Sequence, residues 1–238
     1  MLSIRDNIPH NIPHNIPHYL DNTSYIILST CVQPLLDYTE YNYDRLKALI
    51  KTDQNKSKVM VFNKNYTHPE LVEKTIDRWF KSYLNTPGYP LSNVNKSYMF
   101  SGRYKDEVEM GLPRLLFPYM DYFTKKDKRY NQVVVNYYEN ENDSIDYHRD
   151  WTYGMVKDYQ ISILNLNARY DGYVRDTKPR MFKIQNIKNG EEFSIELQNG
   201  LIITMGGTFQ DNFRHGIPKI SNNNIYNSRF GITFRQFR

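Results

Sequence analysis

Two histidines and one aspartate are spaced so that they could hold a metal ion. His148 and Asp150 lie two positions apart, so on an extended strand their side chains point to the same face. Outside a short N-terminal repeat, the other histidines are His68 and His215. His215 follows an apolar predicted strand and the turn Gly206-Gly207, from which a second sheet could deliver it to the first pair.

This ligand set is typical of non-haem iron(II) oxygenases. Two imidazoles and one carboxylate bind one face of the ion and leave open the positions that oxygen and a bidentate co-substrate need. His148 and Asp150 alone are weak evidence, because the same spacing arises by chance in a surface salt bridge. The interpretation therefore depends on the surrounding sequence.

Two arginines near the C-terminus are placed to bind an anion with two carboxylates. Arg229 and Arg235 fall on one face of a predicted strand, opposite Phe230, Ile232 and Phe234. A buried guanidinium is costly unless it is paired, and its planar fork matches a carboxylate. 2-Oxoglutarate carries two carboxylates. The alternative is an edge strand whose arginines face water.

Asn136 and Tyr138 form a further pair with strand spacing. An amide and a phenol that both face inward are hydrogen-bond partners for the same co-substrate. The alternative is a strand-end asparagine beside a core tyrosine.

The second half of the chain, which must position these residues, is rich in short predicted strands. They are Gln132–Tyr138, Tyr159–Leu166, Met181–Gln185, Phe193–Leu197, Leu201–Met205 and Arg229–Phe237. Turn signals such as Asn189-Gly190 and Asn199-Gly200 separate several of them. Many short strands with turns between them predict a sandwich or jelly roll.

The first half of the chain predicts helices. A short strand is predicted over Ser57–Phe62, and a helix follows that Thr67 and Glu70 cap. Apolar residues from Leu71 to Tyr83 then recur at helical spacing. Since helices come first and strands later, the predicted fold class is α+β with a β-sandwich core.

The amino-acid composition indicates which kinds of partner and which cellular compartment to expect. The formal net charge of +5 favours an anionic partner, although a lysine-rich surface gives the same value. Cys31 is the single cysteine, so we expect no disulfide framework and a reducing, intracellular location. No apolar run approaches the roughly 20 residues that cross a bilayer, so we expect no membrane partner.

Four linked motifs resemble those of AlkB-type dioxygenases. Residues 136–150 resemble their N-x-Y-x4-D-x-I-x2-H-x-D run, and 205–218 resemble the segment that carries their distal histidine. Residues 229–235 resemble their R-x-N-x-T-x-R signature, and 98–102 resemble the substrate-lid strand of their DNA-repair branch. The motifs occur in the right order, which makes the match far more specific than any single motif.

The resemblance implies a double-stranded β-helix that uses iron(II), 2-oxoglutarate and molecular oxygen to remove alkyl groups from nucleobases. By position, the metal ligands and catalytic residues would be His148, Asp150 and His215. The residues that bind 2-oxoglutarate would be Asn136, Tyr138, Arg229, Thr233 and Arg235. The substrate would contact Tyr98, Phe100 and Trp151, with Phe100 stacked on a flipped base.

Two positions depart from the family's pattern. Gly231 replaces the asparagine of the R-x-N-x-T-x-R signature, and Trp151 and Thr152 replace acidic residues that follow the H-x-D motif in the DNA-repair branch. The second change favours an alternative, an AlkB-like hydroxylase or demethylase of protein side chains or small molecules. A catalytically silent nucleic-acid-binding relative is a third interpretation, against which the intact triad argues.

These observations predict three segments. Residues 1–20, in which Asn-Ile-Pro-His occurs three times, should form a low-complexity arm without fixed structure, although a histidine metal tract is the alternative. Residues 21–130 should hold N-terminal helices and a nucleotide-recognition lid, and 131–238 the dioxygenase core. We expect a monomer that acts on alkylated DNA or RNA, whose phosphates the basic segment 125–129 could neutralise unless it is a solvated loop.

Overall fold

The computed structural model describes residues 6–7, 15–52, 56–63, 70–84, 108–152, 154–168, 179–220 and 228–237. The strands are β1 (Asp6–Asn7), β2 (Pro17–Tyr19), β3 (Ser24–Thr30), β4 (Lys58–Asn63), β5 (Glu70–Thr75), β6 (Trp79–Leu84), β7 (Val108–Met110), β8 (Gln132–Tyr138), β9 (Ile145–His148), β10 (Ile161–Asn167), β11 (Met181–Asn186), β12 (Glu192–Glu196), β13 (Leu201–Gly207), β14 (Phe213–Ile217) and β15 (Arg229–Arg235). The helices are α1 (Gln33–Ile50), α2 (Phe117–Lys126), which a 3-10 turn (Arg114–Leu116) precedes, and α3 (Phe209–Asn212).

Two sheets form the sandwich. The larger has the strand order β2-β3-β13-β10-β15-β8-β6-β7, and the smaller has the order β1-β12-β11-β14-β9. One core cluster contains Ile203 and Met205 from β13 of the larger sheet together with Phe182 and Ile184 from β11 of the smaller sheet. The two sheets therefore pack face to face, and the predicted jelly-roll core is confirmed.

Strands β8 and β15 are buried along their whole length. Helices cover the face of these strands that points away from the smaller sheet. Phe123 of α2 stacks on Phe234 with 3.8 Å between ring centroids, and Tyr43 of α1 lies 4.9 Å from Phe230. The apolar face of β15 thus packs on the helices, which leaves its polar face to the space between the sheets.

Residues 70–84 correct the prediction of a single helix. They form β5 and β6, which Ile76–Arg78 separate; β5 pairs with β4, and β6 pairs antiparallel with β8, Trp79 opposite Tyr137. The segment is rich in aromatic and β-branched residues, and pairing with a buried strand outweighs its helical spacing. The predicted capping residue Thr67 lies outside the described residues.

The N-terminal arm is partly incorporated into the sheets. β2 pairs antiparallel with β3, and the Asn15 amide donates a hydrogen bond to the Leu28 carbonyl oxygen at 2.8 Å. β1 pairs in parallel with β12. The expectation of an arm without fixed structure is therefore wrong for residues 15–20, because the third repeat supplies backbone groups to an exposed sheet edge. Residues 8–14 lie outside the described ranges.

In the part of the chain that the structure describes, no helix combines the length and the apolar character that crossing a membrane requires.

Candidate metal and co-substrate site

The predicted metal ligands meet between two neighbouring strands of the smaller sheet. His148 ends β9, Asp150 follows two residues later, and His215 lies on β14 directly opposite His148. One ligand atom from each residue lies within 4.8 Å of the others. The imidazole centroids are 4.4 Å apart, and His215 Nε2 lies 3.5 Å from an Asp150 carboxylate oxygen. This donor set fits a non-haem iron(II) ion.

Local backbone contacts fix the geometry of these ligands. The Asp150 amide donates a hydrogen bond to Gln210 Oε1 at 2.8 Å. His148 Nδ1 lies 2.9 Å from the Asp146 carbonyl oxygen. That nitrogen donates to the carbonyl, so Nε2 keeps its lone pair for a metal.

Gly216 permits β9 and β14 to approach each other closely. A Cβ atom at this position would lie 2.8 Å from the Ile145 carbonyl oxygen and 3.0 Å from the Tyr147 backbone nitrogen. Any larger residue would therefore push β9 away from β14 and separate His148 from His215.

The electrostatic environment holds the three ligands in their metal-binding protonation states. Burial lowers the pKa of His148, and burial together with His148 lowers the pKa of His215 to about 3. Both imidazoles are therefore neutral at neutral pH. Burial alone would raise the pKa of Asp150, but Arg235 and the two histidines outweigh it and lower this pKa. Arg235 Nη2 donates a hydrogen bond to the Asp150 carboxylate.

The triad lines one part of a pocket that opens to solvent. Its polar lining includes the triad and Asn136, Tyr138, Asn165, Arg229, Thr233 and Arg235. Its apolar lining includes Ile145, Ile163, Phe182, Leu197 and Ile217. The structure thus brings every predicted co-substrate residue to the same pocket as the metal ligands.

The two halves of the site come from opposite sheets. The metal ligands belong to β9, β14 and the residues just after β9, whereas the co-substrate candidates belong to β8 and β15. In the β8–β15 ladder, Arg229 lies opposite Tyr138, and Gly231 lies opposite Asn136. The spacing that predicted inward pairs on both strands is therefore matched by direct cross-strand register.

Arg229 offers buried donors to an anion. Its Nη1 donates to Asn165 Oδ1 at 3.0 Å, and its guanidinium lies 3.9 Å from the centroid of the Tyr138 ring. Its Nε and Nη2 atoms are buried, and no hydrogen-bond partner is found for them among the described residues. Burial lowers the pKa of Arg229 to about 10, so the group stays charged at neutral pH. Buried, charged donors of this kind fit a carboxylate of 2-oxoglutarate.

The glycine that departs from the family's signature leaves open space in the pocket. A Cβ at Gly231 would meet nothing nearer than 3.8 Å, where the neighbours are Arg229 Nη1 and the Tyr138 ring. The backbone therefore has room for a Cβ atom at this position, and the absence of a side chain leaves this side of the pocket wider.

The substrate candidates are only partly described. Trp151 directly follows Asp150 and is 44% exposed. Tyr98 and Phe100 lie outside the described residues. In the basic segment, Lys125 pairs with Asp121 at 2.6 Å, and Arg129 pairs with Asp127 at 2.6 Å.

Three residues that support the site went unnoticed in the sequence. Asn165 holds Arg229, Gln210 holds the Asp150 backbone, and Arg78 donates to Asn136. Asn165 had a readable signal, because it is a polar residue on the inward face of β10 that it shares with Ile161 and Ile163. Arg78 gave no such signal, because the spacing of the apolar residues around it predicts a helix.

Comparison with known proteins identifies the family. The family model described as 2OG-Fe(II) oxygenase superfamily matches residues 44–235. Among solved structures, the chain is similar to a prolyl-4-hydroxylase of Pseudomonas putida, with 8% identity, a TM-score of 0.47, and coverage of 90% of this chain and 92% of that one. It is also similar to OsALKBH1, with 13% identity, a TM-score of 0.47, and coverage of 92% and 100%. No curated protein matches the sequence.

The family match covers most of the chain and includes the whole triad and both pocket arginines. The chain therefore belongs to the 2OG-Fe(II) oxygenase superfamily and is a dioxygenase that uses iron(II), 2-oxoglutarate and molecular oxygen.

Proposed function

We propose that the protein removes alkyl groups by oxidation from N-alkylated bases of DNA or RNA. His148, Asp150 and His215 hold the iron(II) ion. Arg229 binds one carboxylate of 2-oxoglutarate through its buried Nε and Nη2 donors. Asn136, Tyr138, Thr233 and Arg235 contribute further hydrogen bonds from the same pocket wall, and Arg235 also donates to Asp150.

When bound, iron(II) and 2-oxoglutarate would supply the oxidising chemistry: 2-oxoglutarate would lose carbon dioxide and take up one oxygen atom of O2 to become succinate, and the other oxygen atom would enter a substrate C–H bond. Hydroxylation of an N-methyl carbon gives a hemiaminal, which breaks down to formaldehyde and the unmodified base. The chain's own residues orient the partners. The pocket walls formed by Ile163, Phe182 and Ile217 exclude water from the reacting atoms.

The observation that carries the choice of substrate is the sequence of residues 98–102, which resembles the substrate-lid strand of the DNA-repair branch. Phe100 in this segment would supply an aromatic face, and a base that leaves the helical stack needs such a surface to pack on. The net charge of +5 supports the same proposal, because a nucleic acid is an anionic partner.

The test is a turnover assay with iron(II), 2-oxoglutarate and matched methylated and unmethylated oligonucleotides, as DNA and RNA, in single and double strands. We expect formaldehyde and succinate in equal amounts from at least one methylated oligonucleotide. Unmethylated strands should give only slow, uncoupled succinate formation. His215→Ala is the control that should give neither product.

The alternative is an oxygenase that acts on protein side chains or small molecules, which Trp151 and Thr152 favour at positions where the DNA-repair branch has acidic residues. Formaldehyde or hydroxylated product from methylated peptides or small amines, with none from any oligonucleotide, would establish it in place of the nucleobase proposal.

A further inference from the structure

A third arginine lies beside the pocket, outside every motif that the sequence revealed. Arg78 precedes β6, and only 4% of its surface is exposed. Its Nε donates a hydrogen bond to Asn136 Oδ1 at 2.8 Å, and its Nη1 lies 3.5 Å from the Ser144 carbonyl oxygen. Arg78 therefore contacts β8, which carries co-substrate candidates, and the segment that leads into β9 and His148.

The backbone around Arg78 is held on both sides. The Ser144 amide donates to the Asp77 carbonyl oxygen at 2.9 Å, and the Ser57 amide donates to the Arg78 carbonyl oxygen at 3.1 Å. Trp79, the next residue, is paired with Tyr137 in the β6–β8 ladder. The guanidinium is thus attached to a fixed part of the larger sheet.

The chemistry of the pair fixes the orientation of the Asn136 amide. A guanidinium has donors and no acceptor, so only the carbonyl oxygen of Asn136 can face Arg78. The amide NH2 group must then face the other way, and Asn136 lines the pocket. A 2-oxo acid presents only acceptors, namely its carboxylate and keto oxygens. An Asn136 NH2 group that faces the pocket therefore attracts the 2-oxo acid, whereas an Asn136 oxygen atom there would repel it.

We propose that Arg78 is a positioning residue for 2-oxoglutarate, which it favours by holding Asn136 with the amide NH2 directed into the pocket. The inference rests on the proposed contact between Asn136 and the co-substrate. Arg78 acts through Asn136 and touches no reacting atom.

The first experiment measures the dissociation constant of 2-oxoglutarate in the anaerobic iron(II) protein, from the visible absorption that appears when a 2-oxo acid chelates iron(II). Arg78→Met should bind 2-oxoglutarate about tenfold more weakly, because the charge-assisted hydrogen bond that orients the Asn136 amide is lost. Iron affinity, followed separately, should change little.

Arg180→Met is the matched control. Arg180 is also 4% exposed, but it donates to the backbone carbonyl oxygens of Asn140, Asp143 and Pro218. Its loss should lower the melting temperature, as loss of Arg78 should, but without the tenfold change in the dissociation constant of 2-oxoglutarate. Equal weakening in both variants would show that general loss of stability explains the effect, and the inference would fail.

Two Asn136 variants separate this inference from the proposed function. Asn136→Asp keeps an acceptor for Arg78 but turns a carboxylate oxygen toward the pocket, so it should bind 2-oxoglutarate more weakly than Asn136→Ala does. In the Asn136→Ala background, Arg78→Met should have almost no further effect.

The outcomes differ for each idea. An unchanged dissociation constant in Asn136→Ala would overturn the proposed role of Asn136 itself. A weakened constant in Asn136→Ala together with an unchanged one in Arg78→Met would overturn the role of Arg78 alone. Tighter binding in Asn136→Asp than in Asn136→Ala would overturn the assigned amide orientation.

Discussion

At the residue scale, Asp150 has two tasks. Its carboxylate belongs to the metal triad and also accepts a hydrogen bond from the buried guanidinium of Arg235. The imidazoles of His148 and His215 have no comparable charged partner other than Asp150 itself among the described residues. Substitutions in the triad should therefore have equal effects on metal binding and unequal effects on stability.

We expect His148→Ala, Asp150→Ala and His215→Ala each to abolish turnover. Asp150→Ala should also lower the free energy of unfolding of the metal-free protein by about 3–5 kcal/mol, because it removes one partner of a buried ion pair. His148→Ala should cost clearly less. Denaturant unfolding of both variants measures the difference, and equal midpoints would show that the ion pair contributes nothing to stability.

We expect different residues to bind the co-substrate and the substrate, so that one substitution affects the binding of only one of them. Arg229→Ala should raise the concentration of 2-oxoglutarate needed for half-maximal turnover, because it removes the buried guanidinium that binds a carboxylate of the co-substrate. Oligonucleotide affinity should stay nearly unchanged. Phe100→Ala should do the reverse: it should weaken productive oligonucleotide binding about tenfold, the effect of losing one base–aromatic stack.

Titrations of each variant with 2-oxoglutarate and with methylated oligonucleotide make the comparison. Uncoupled 2-oxoglutarate decarboxylation should persist in Phe100→Ala. If that variant demethylates every oligonucleotide as well as the unmodified protein does, the substrate is not a base that Phe100 stacks on.

At the element scale, two strands must approach closely for the metal ligands to meet. β14 and β9 are neighbours, and a Cβ atom at position 216 would lie only 2.8 Å from the Ile145 carbonyl oxygen. Gly231, on β15 at the other wall of the pocket, has no such constraint. The two glycines form a natural pair for experiment.

Gly216→Ala should weaken metal affinity about ten- to hundredfold, a loss typical of displaced ligand geometry, and should lower the melting temperature. Gly231→Ala should leave both quantities nearly unchanged. Calorimetric titration with cobalt(II) and thermal unfolding measure them. Equal metal affinities in the two variants would mean that β9 adjusts without moving His148.

The sequence predicted the strands of the core well, and in the first half of the chain it predicted β4 and the presence of helices but not the strands β5 and β6. β8 has the predicted bounds, and β15 begins at the predicted Arg229. These strands are predictable because the residue types that alternate along a strand correspond to its two faces. The triad was predictable because few histidines compete for the role. Trp79 and its neighbours were misread, since their spacing fits a helix until the partner strand β8 is known. Gln210 and Arg78 act through contacts distant in sequence, which no local pattern reveals.

At the scale of the whole molecule, the N-terminal segment completes a sheet edge. β2 covers the outer side of β3, which in turn pairs with β13, and Leu20 packs against the core that both sheets share. The metal ligands lie on other strands. Stability and catalysis should therefore respond differently to truncation.

Deleting residues 1–20 removes β2 and should lower the free energy of unfolding. Each kcal/mol of that loss should lower the melting temperature by about 2–4 °C, while iron binding and turnover persist. Deleting residues 1–14 keeps β2 and should cost less. Thermal unfolding and turnover assays of both truncated proteins make the comparison. Loss of the iron site in either protein would give the repeat histidines a chemical role.

The charge distribution of the pocket has a consequence for how the enzyme responds to its surroundings. Among the residues that the structure describes, two guanidinium groups, those of Arg229 and Arg235, line the cavity together with one carboxylate, that of Asp150. An excess of buried positive charge attracts small anions of any identity. Succinate, the reaction's own product, should therefore act as a competitive inhibitor, and phosphate or sulfate buffers should depress turnover more than buffers without oxyanions. The metabolic state of a cell, through its ratio of 2-oxoglutarate to succinate, would then set the rate of the enzyme.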